Sequence, residues 1–484
     1  MKEKSPDYPL SDSSEGDGTL EQGTPINEKA LIRKLDLKLL PAVTVLYLLS
    51  FLDRSNVANA KVEGLAEAVN MSDDQYLSGL TLFFLGYVLF EIPCNIILKR
   101  TTPRFWLPTL TIAWGIVATL LGIVQNKAGF FAARFWLGSV ESGLFPGVVF
   151  YLSMWYQRKE RQFRVALFFS AAAFAGAFGG ILAWGIAHMD GVGGQGGWRW
   201  IFILEGILTV VIGAFAYLFI TNYPATAPFL KPAERAFIQR RLAADSDASE
   251  DEGFSWANVR AAISDPKCYL YCFGFHFMSL PLYTLSLFLP TIIADLGYSA
   301  SAAQLLTIPP YALATTLTVI VAYISERVGR RAPFLIAFAL TASIGYCILL
   351  SNMDPTAKPA VSYVGTFFAA AGIYPTVGLV LSWPAVNVGG QTKRAVANAL
   401  QISIGNCGAI IGTQIYRAGD SPRYVIGHSV ALAYTVVSAC LTLVTWWFLS
   451  RENKKKEAAV PGSGVVGGAG GLKGDEDPRW RFML

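Results

Sequence analysis

Residues 38–57, KLLPAVTVLYLLSFLDRSNV, stay apolar for the length of a bilayer crossing and then meet two adjacent charges, Asp53 and Arg54. A helix rises about 1.5 Å per residue, so about 20 apolar residues cross a hydrocarbon layer of roughly 30 Å. The segment reads as a membrane helix. Its charges either mark the interface or turn toward a partner or a water-filled space. Eleven further apolar runs follow, at 76–98, 105–124, 129–153, 165–188, 199–220, 268–293, 303–325, 332–351, 360–383, 395–416 and 427–449. Six runs, a polar interval over roughly 222–266, and six more predict an all-α membrane protein in two six-helix halves. The interval carries Lys231, Arg235, Arg240, Arg241 and an acidic stretch from Asp245 to Glu252, and residues 231–243 read as a helix on the membrane surface.

Composition agrees. The chain has 484 residues, 53% hydrophobic and 15% charged, where a soluble domain carries about 25% charged residues. A net charge of +5, spread between apolar runs, gives no basic surface for nucleic acid. Of the six cysteines, all but Cys268 lie inside apolar runs, without disulfide or metal-ligand spacing. There is no phosphate-binding glycine loop, no metal cluster and no nucleophile–base arrangement. No cofactor, no metal and no enzymatic activity are expected. Residues 1–29 are polar, rich in Ser, Gly, Asp and Glu, and read as a disordered tail. The first run then serves as insertion signal and first helix. The expected organisation is a tail over 1–29, a first half over 30–221, a loop over 222–266, a second half over 267–450 and a tail over 451–484.

Orientation follows from basic residues. With the N-terminus in the cytoplasm, the short inner segments hold Arg33, Lys34, Lys38, Lys99, Arg100, Arg104, Arg158, Lys159, Arg161, Arg164, Arg327, Arg330, Arg331, Lys393, Arg394, Arg451 and Lys454 to Lys456. The outer loops hold far fewer, which places both tails in the cytoplasm, with the plasma membrane as the expected location. Asn70-Met71-Ser72 in the first outer loop is a glycosylation sequon. Gly143 and Gly147, Gly176 and Gly180, and Gly408 and Gly412 repeat at i, i+4, a spacing that permits close helix approach.

Three places carry chemistry. Ala322 to Arg331, AYISERVGRR, resembles the loop signature of the major facilitator superfamily. In it Glu326 can cap a neighbouring helix while Arg327 and Arg330 bridge the halves, a latch; ordinary positive-inside charge would also explain the arginines. The loop after the second run, with Glu91 and Asn95 before it, keeps the basic residues but lacks the acid–glycine pattern. In the first run Asp53 and Arg54 are about 100° apart on a helix, so they can face different neighbours. In the fourth, Arg134 and Glu141 stand two turns apart on one face. A carboxyl buried there can load and release a proton; a structural ion pair with Arg134 or Arg54 is the alternative.

Together DRSNVANA from Asp53, RFWLGSVESGLFPG from Arg134, GWRWIFILEGI from Gly197 and WPAVNVGGQTKRAVANA from Trp383 look like the anion:cation symporter family of the major facilitator superfamily. They are closest in pattern to its fungal branch of allantoate, nicotinate and pantothenate permeases. The DPRWRFML stretch from Asp477 resembles the acidic-aromatic tail of that branch. The resemblance spans about 30–450. It implies the major facilitator fold and alternating access about a midplane site. It also implies that Arg54 contacts a substrate carboxylate, that Asp53 and Glu141 couple protons, and that Arg134 partners Glu141.

Further polar groups inside runs are candidate cavity donors: His276, Tyr283, Tyr311, Tyr374, Gln401 and Asn406. Glu91 is a candidate gate, and Glu205 reads as structural. The expected function is proton-coupled symport of a small organic anion, by a monomer in a lipid bilayer. Export of an organic acid or secondary metabolite is the alternative, and a non-transporting nutrient sensor a third reading.

Overall fold

The computed structural model describes residues 26–244, 255–459, 475, 477 and 480–484. The polar tail over 1–25, the acidic stretch over 245–252 and the side chains of Lys99, Arg158 and Lys159 lie outside the described residues. Among these, twelve helices are long and apolar enough to cross a membrane. They are α1 (Glu28–Val62), α2 (Asp73–Leu98), α3 (Pro103–Leu121), α4 (Lys127–Ser153), α5 (Phe163–Ala187), α6 (Gly197–Phe219), α7 (Pro266–Asp295), α8 (Ala300–Val328), α9 (Ala332–Ser351), α10 (Pro359–Asn387), α11 (Thr392–Gly412) and α12 (Val425–Ala458).

Local chemistry starts and stops several of them. Asn27, Ser72, Asn126 and Ser299 each accept a backbone N–H at a helix start, and Gln75 completes a capping box with Ser72. Gly329 ends α8 at φ 68°, a left-handed conformation that glycine adopts without a Cβ penalty. α1 begins ten residues before its apolar run. That extra length is amphiphilic and projects beyond the span, where Lys34 pairs with Glu234 at 2.8 Å and Asp36 with Arg164 at 2.6 Å. Glu234 belongs to the interval helix Pro232–Ala244, which Arg241 also ties to Glu28 and Glu160.

Packing repeats with a period of six helices. In the first half α1 packs on α5, α2 on α4 and α3 on α6; in the second α7 packs on α11, α8 on α10 and α9 on α12. The halves meet along α1–α7, α2–α11 and α5–α8. Each contact maps onto another, or onto itself, when six is added to the helix number, the mark of two repeats about a pseudo-two-fold axis. Leu218, Phe219 and Trp447 are exposed on the outside, as expected where lipid is the solvent.

On the face opposite the termini the halves are closed. Gln304 of α8 donates to Glu63 just past α1 at 2.9 Å, and Gln414 beyond α11 donates to Thr81 of α2 at 2.7 Å. α5 reaches α8 through glycine: a Cβ on Gly180 would stand 2.6 Å from the Gln304 carbonyl oxygen, and one on Gly176 2.8 Å from the Tyr311 ring. Backbone cannot step aside as a flexible side chain can. Gly180→Val is therefore expected to hold this face open, cutting transport at least tenfold with normal expression. Cysteine labelling at position 304 from the face opposite the termini should rise in parallel; unchanged labelling would remove Gly180 from the seal.

The far C-terminal segment docks on the terminal face of the second half. Asp475 is 2% exposed and accepts from Lys393 at 2.9 Å, with Lys267 at 3.2 Å. The Phe482 ring lies under the ammonium groups of Lys267 and Lys456, and its backbone exchanges two hydrogen bonds with Asn453. Asn387 and Trp383 bind the Met483 backbone. The segment thus joins the ends of α7, α10, α11 and α12. Burial by itself would raise the Asp475 carboxyl, but Lys393 and Lys267 overcome it and hold the group below the ordinary aspartate value. A lowered folded value stabilises above the unfolded pKa, and the gain is lost as pH falls through the folded one. Asp475→Asn is expected to lower thermal stability at neutral pH by about 1–2 kcal/mol, because it leaves Lys393 and Lys267 to share the single carboxylate of Asp265, at 2.9 and 3.3 Å. The gap from the unaltered protein should close as pH falls below the carboxylate range, which a melting series against pH would show.

Candidate functional site

α4 is not continuous. It breaks at Ser142-Gly143, between Lys127–Glu141 and Leu144–Ser153. Pro146 lacks an N–H, and its ring crowds the carbonyl four residues back, at Ser142. Glu141 is therefore the last residue of the first segment rather than a mid-helix one. Its side chain is turned onto α1. Glu141 Oε1 accepts from Ser50 Oγ at 2.6 Å, from Arg54 Nε at 3.1 Å and from Arg54 Nη2, while Oε2 has no hydrogen-bond partner. Both side chains are sealed, Arg54 at 3% and Glu141 at 0% exposure.

Arg54 also reaches across the halves. Its Nη1 donates to the hydroxyl of Tyr283 on α7 at 2.7 Å. The rings of Phe51, Phe83, Tyr87 and Tyr283 surround the guanidinium at 5.2–5.6 Å, where their electron-rich faces favour a cation. The guanidinium borders a central cavity of about 10 Å³, also lined by Tyr47, Tyr87, Phe145, Phe169, Phe275, Tyr283, Leu381, Ile402 and Asn406. That volume holds about one water, so the chamber is shut down in this conformation. Its walls are chiefly aromatic, and its polar groups converge at Arg54 and Asn406.

A second cavity of about 290 Å³ opens toward the terminal face, lined among others by Asn95, Leu98, Phe150, Arg394, Asn398 and Ala399. Helical register shows what divides the two. Along α2, Tyr87 borders the chamber and Asn95 the outer cavity, with Glu91 one turn from each. Along α11, Ile402 borders the chamber and Ala399 the outer cavity, with Ser403 beside Ile402. Glu91 and Ser403 meet: the Ser403 hydroxyl donates to Glu91 Oε2 at 3.0 Å.

Several expectations need correction. Arg134 does not pair with Glu141. Its guanidinium lies 4.7 Å over the Phe83 ring, and none of its nitrogens has a hydrogen-bond partner, while Arg54 binds Glu141 through Oε1. Asp53 does not line the chamber; the 100° step turns it into the first half, where Trp114 donates at 3.2 Å and Thr209 at 2.8 Å. His276 faces the Ile404 carbonyl at 3.0 Å and the rings of Phe277 and Tyr434, away from the cavity. Tyr374 stands edge-on to Tyr311, ring centroids 5.8 Å apart, and Gln401 braces the Tyr271 and Val380 carbonyls. Of the candidate donors on α7 to α11, Tyr283 and Asn406 reach the chamber.

The expected arginine latch is absent among the described residues. Arg327 stacks on Tyr323 of its own helix at 4.4 Å, and no ion pair joins Arg327 or Arg330 to the first half. What crosses here is the Tyr323 ring, 6.3 Å from Phe163 of α5, and Glu326, which lies in the field of Arg164. Tyr47, Ser50 and Phe145 were missed by sequence reading. Tyr47 and Ser50 precede Arg54 by seven and four residues, the same helix face, a signal that the spacing did contain.

Asn70 is exposed, with φ 54°, in the loop opposite the termini. All six cysteines are free.

Comparison with known proteins places this geometry. The chain is 37% identical to the MFS-type transporter cnsO of Penicillium expansum over 471 residues, covering 95% of this chain and 91% of that protein. It is 31% identical to the high-affinity nicotinic acid transporter of Saccharomyces cerevisiae over 477 residues, covering 98% and 88%. Among solved structures, a bacterial homologue of the human lysosomal transporter Spinster superposes with TM-score 0.63 at 18% identity, covering 84% of this chain and 96% of that one. The profile of the Major Facilitator Superfamily matches residues 43–413. With twelve spans in two repeats, a sealed chamber between them and these relatives, the chain belongs to the major facilitator superfamily, a family of membrane transporters.

Proposed function

We propose that the chain is a proton-coupled symporter of a small organic carboxylate, within the fungal allantoate, nicotinate and pantothenate branch of the anion:cation symporters. The observation that carries this is one guanidinium, Arg54, held at the chamber wall by a carboxylate of the first half and a hydroxyl of the second. A guanidinium presents a fork that a substrate carboxylate can fill bidentately. Glu141 holds the fork now. A proton on Glu141 neutralises it and releases Arg54 to the substrate, so proton and anion binding favour each other. Aromatic walls suit a flat or apolar acid body. The Glu91–Ser403 bond is the barrier on the terminal side, Glu326 and Arg327 at the end of α8 and Arg330 just past it move with that helix, and the halves rock about the chamber.

On this reading both termini are cytoplasmic in the plasma membrane, a monomer suffices, and Asn70 lies on the outside and available for glycosylation. The similarity to the nicotinic acid transporter, 31% over nearly the whole chain, favours a nicotinate-like acid as substrate; export of an organic acid or metabolite is the alternative direction.

The test is uptake of labelled nicotinate, allantoate and pantothenate by permease-deficient yeast expressing this chain. At least one should accumulate, faster at acidic external pH. Accumulation of none of a wide set of carboxylates, with the protein at the cell surface, would refute the reading.

A further inference from the structure

A second buried carboxyl site lies in the first half, apart from Arg54 and Glu141. Glu205 of α6 is 2% exposed and Asn56 of α1 0%. Asn56 Nδ2 donates to Glu205 Oε2 at 2.7 Å. The remaining atoms of the same two groups, Glu205 Oε1 and Asn56 Oδ1, are both buried without a partner. Two acceptors left over on an amide and a carboxyl that already share one hydrogen bond are what remains when a proton is left out. A hydrogen on Oε1 would let the acid donate to Oδ1 and close a cyclic acid–amide pair. Leaving both acceptors unpaired in this setting costs roughly 1–3 kcal/mol each.

The charges around the pair agree. The Asp53 carboxyl of α1 lies in the field of Glu205 and, more weakly, of Glu141. Asp53 receives Trp114 of α3 and Thr209 of α6, both neutral. α3 also presents Thr119, beside Gly206. The cation next in sequence, Arg54, is engaged by Glu141 and Tyr283. Among the described residues no basic group pairs with Asp53 or Glu205. Two carboxylates sharing a dry site without a cation cannot both be ionised.

We propose that Glu205 binds a proton in this conformation, shared with Asn56 as an acid–amide pair, so that Asp53, Asn56 and Glu205 form a proton site separate from the chamber. The site does not depend on which substrate the protein carries.

Infrared spectra of the full chain in lipid nanodiscs test this at about pH 7, where a solvated glutamate is ionised. The unaltered protein minus Glu205→Gln should show one carboxylic-acid carbonyl band that shifts in heavy water. Asp53→Asn should keep that band. Asn56→Leu, which removes the partner but no carboxyl, should move it to higher frequency. Absence of the band from the Glu205→Gln difference, its loss in Asp53→Asn, or no displacement in Asn56→Leu would each overturn the proposal. A failure of the carboxylate uptake screen would leave these spectra unaffected.

Discussion

Replacing Arg54 by lysine is expected to lower carboxylate uptake by about 100-fold while the protein still reaches the membrane. The charge survives the change, but the fork does not. Arg54 spends Nε and Nη2 on Glu141 and Nη1 on Tyr283, a planar arrangement spanning two halves. A lysine ammonium is a single point on a flexible stem and cannot hold Glu141 and a Tyr283 hydroxyl, or a substrate carboxylate, in the same plane. Hydrogen bonds to charged groups contribute about 1.5–3 kcal/mol each, so losing one strong or two weaker ones, about 2.8 kcal/mol, gives roughly a hundredfold. Surface labelling supplies the expression control. Uptake within threefold of the unaltered protein would take Arg54 out of substrate binding.

Glu141→Gln is expected to abolish proton-driven accumulation while sparing substrate exchange. Glutamine has the shape of the protonated acid, so it leaves Arg54 permanently free for the anion. Binding then no longer requires a proton, and the steep side of the pH profile should flatten. In proteoliposomes, counterflow should persist within about threefold, while a pH gradient should drive at least tenfold less accumulation, the scale of a 1.4 kcal/mol coupling. Undiminished pH-driven accumulation would assign the coupling proton elsewhere. The Ser50 hydroxyl, 2.6 Å from the same oxygen, still has an amide oxygen to bind, so the break in α4 should survive the substitution.

Spans, their number, their grouping in sixes and the interval between them were determined by the sequence. Those features follow from one local rule: a segment in hydrocarbon must satisfy its backbone internally and show apolar side chains. The charges that matter were visible for the same reason, since Asp53, Arg54, Arg134, Glu141 and Glu205 stand out in apolar surroundings. Which of them meet was not visible. Asp53 and Arg54 are neighbours in the chain, yet one turns to Trp114 and Thr209 and the other to Glu141 and Tyr283. Arg134 and Glu141 share a helix face but not a contact, because the Pro146 break re-aims Glu141 toward a competitor from α1 that no spacing rule within α4 contains. The partner of Glu91 was hidden too: Ser403, which donates to it, is 312 positions away. Pairings between helices depend on rotation and depth of rigid rods against one another. Only packing of the two halves fixes those, through close approaches such as Gly180 on the Gln304 backbone.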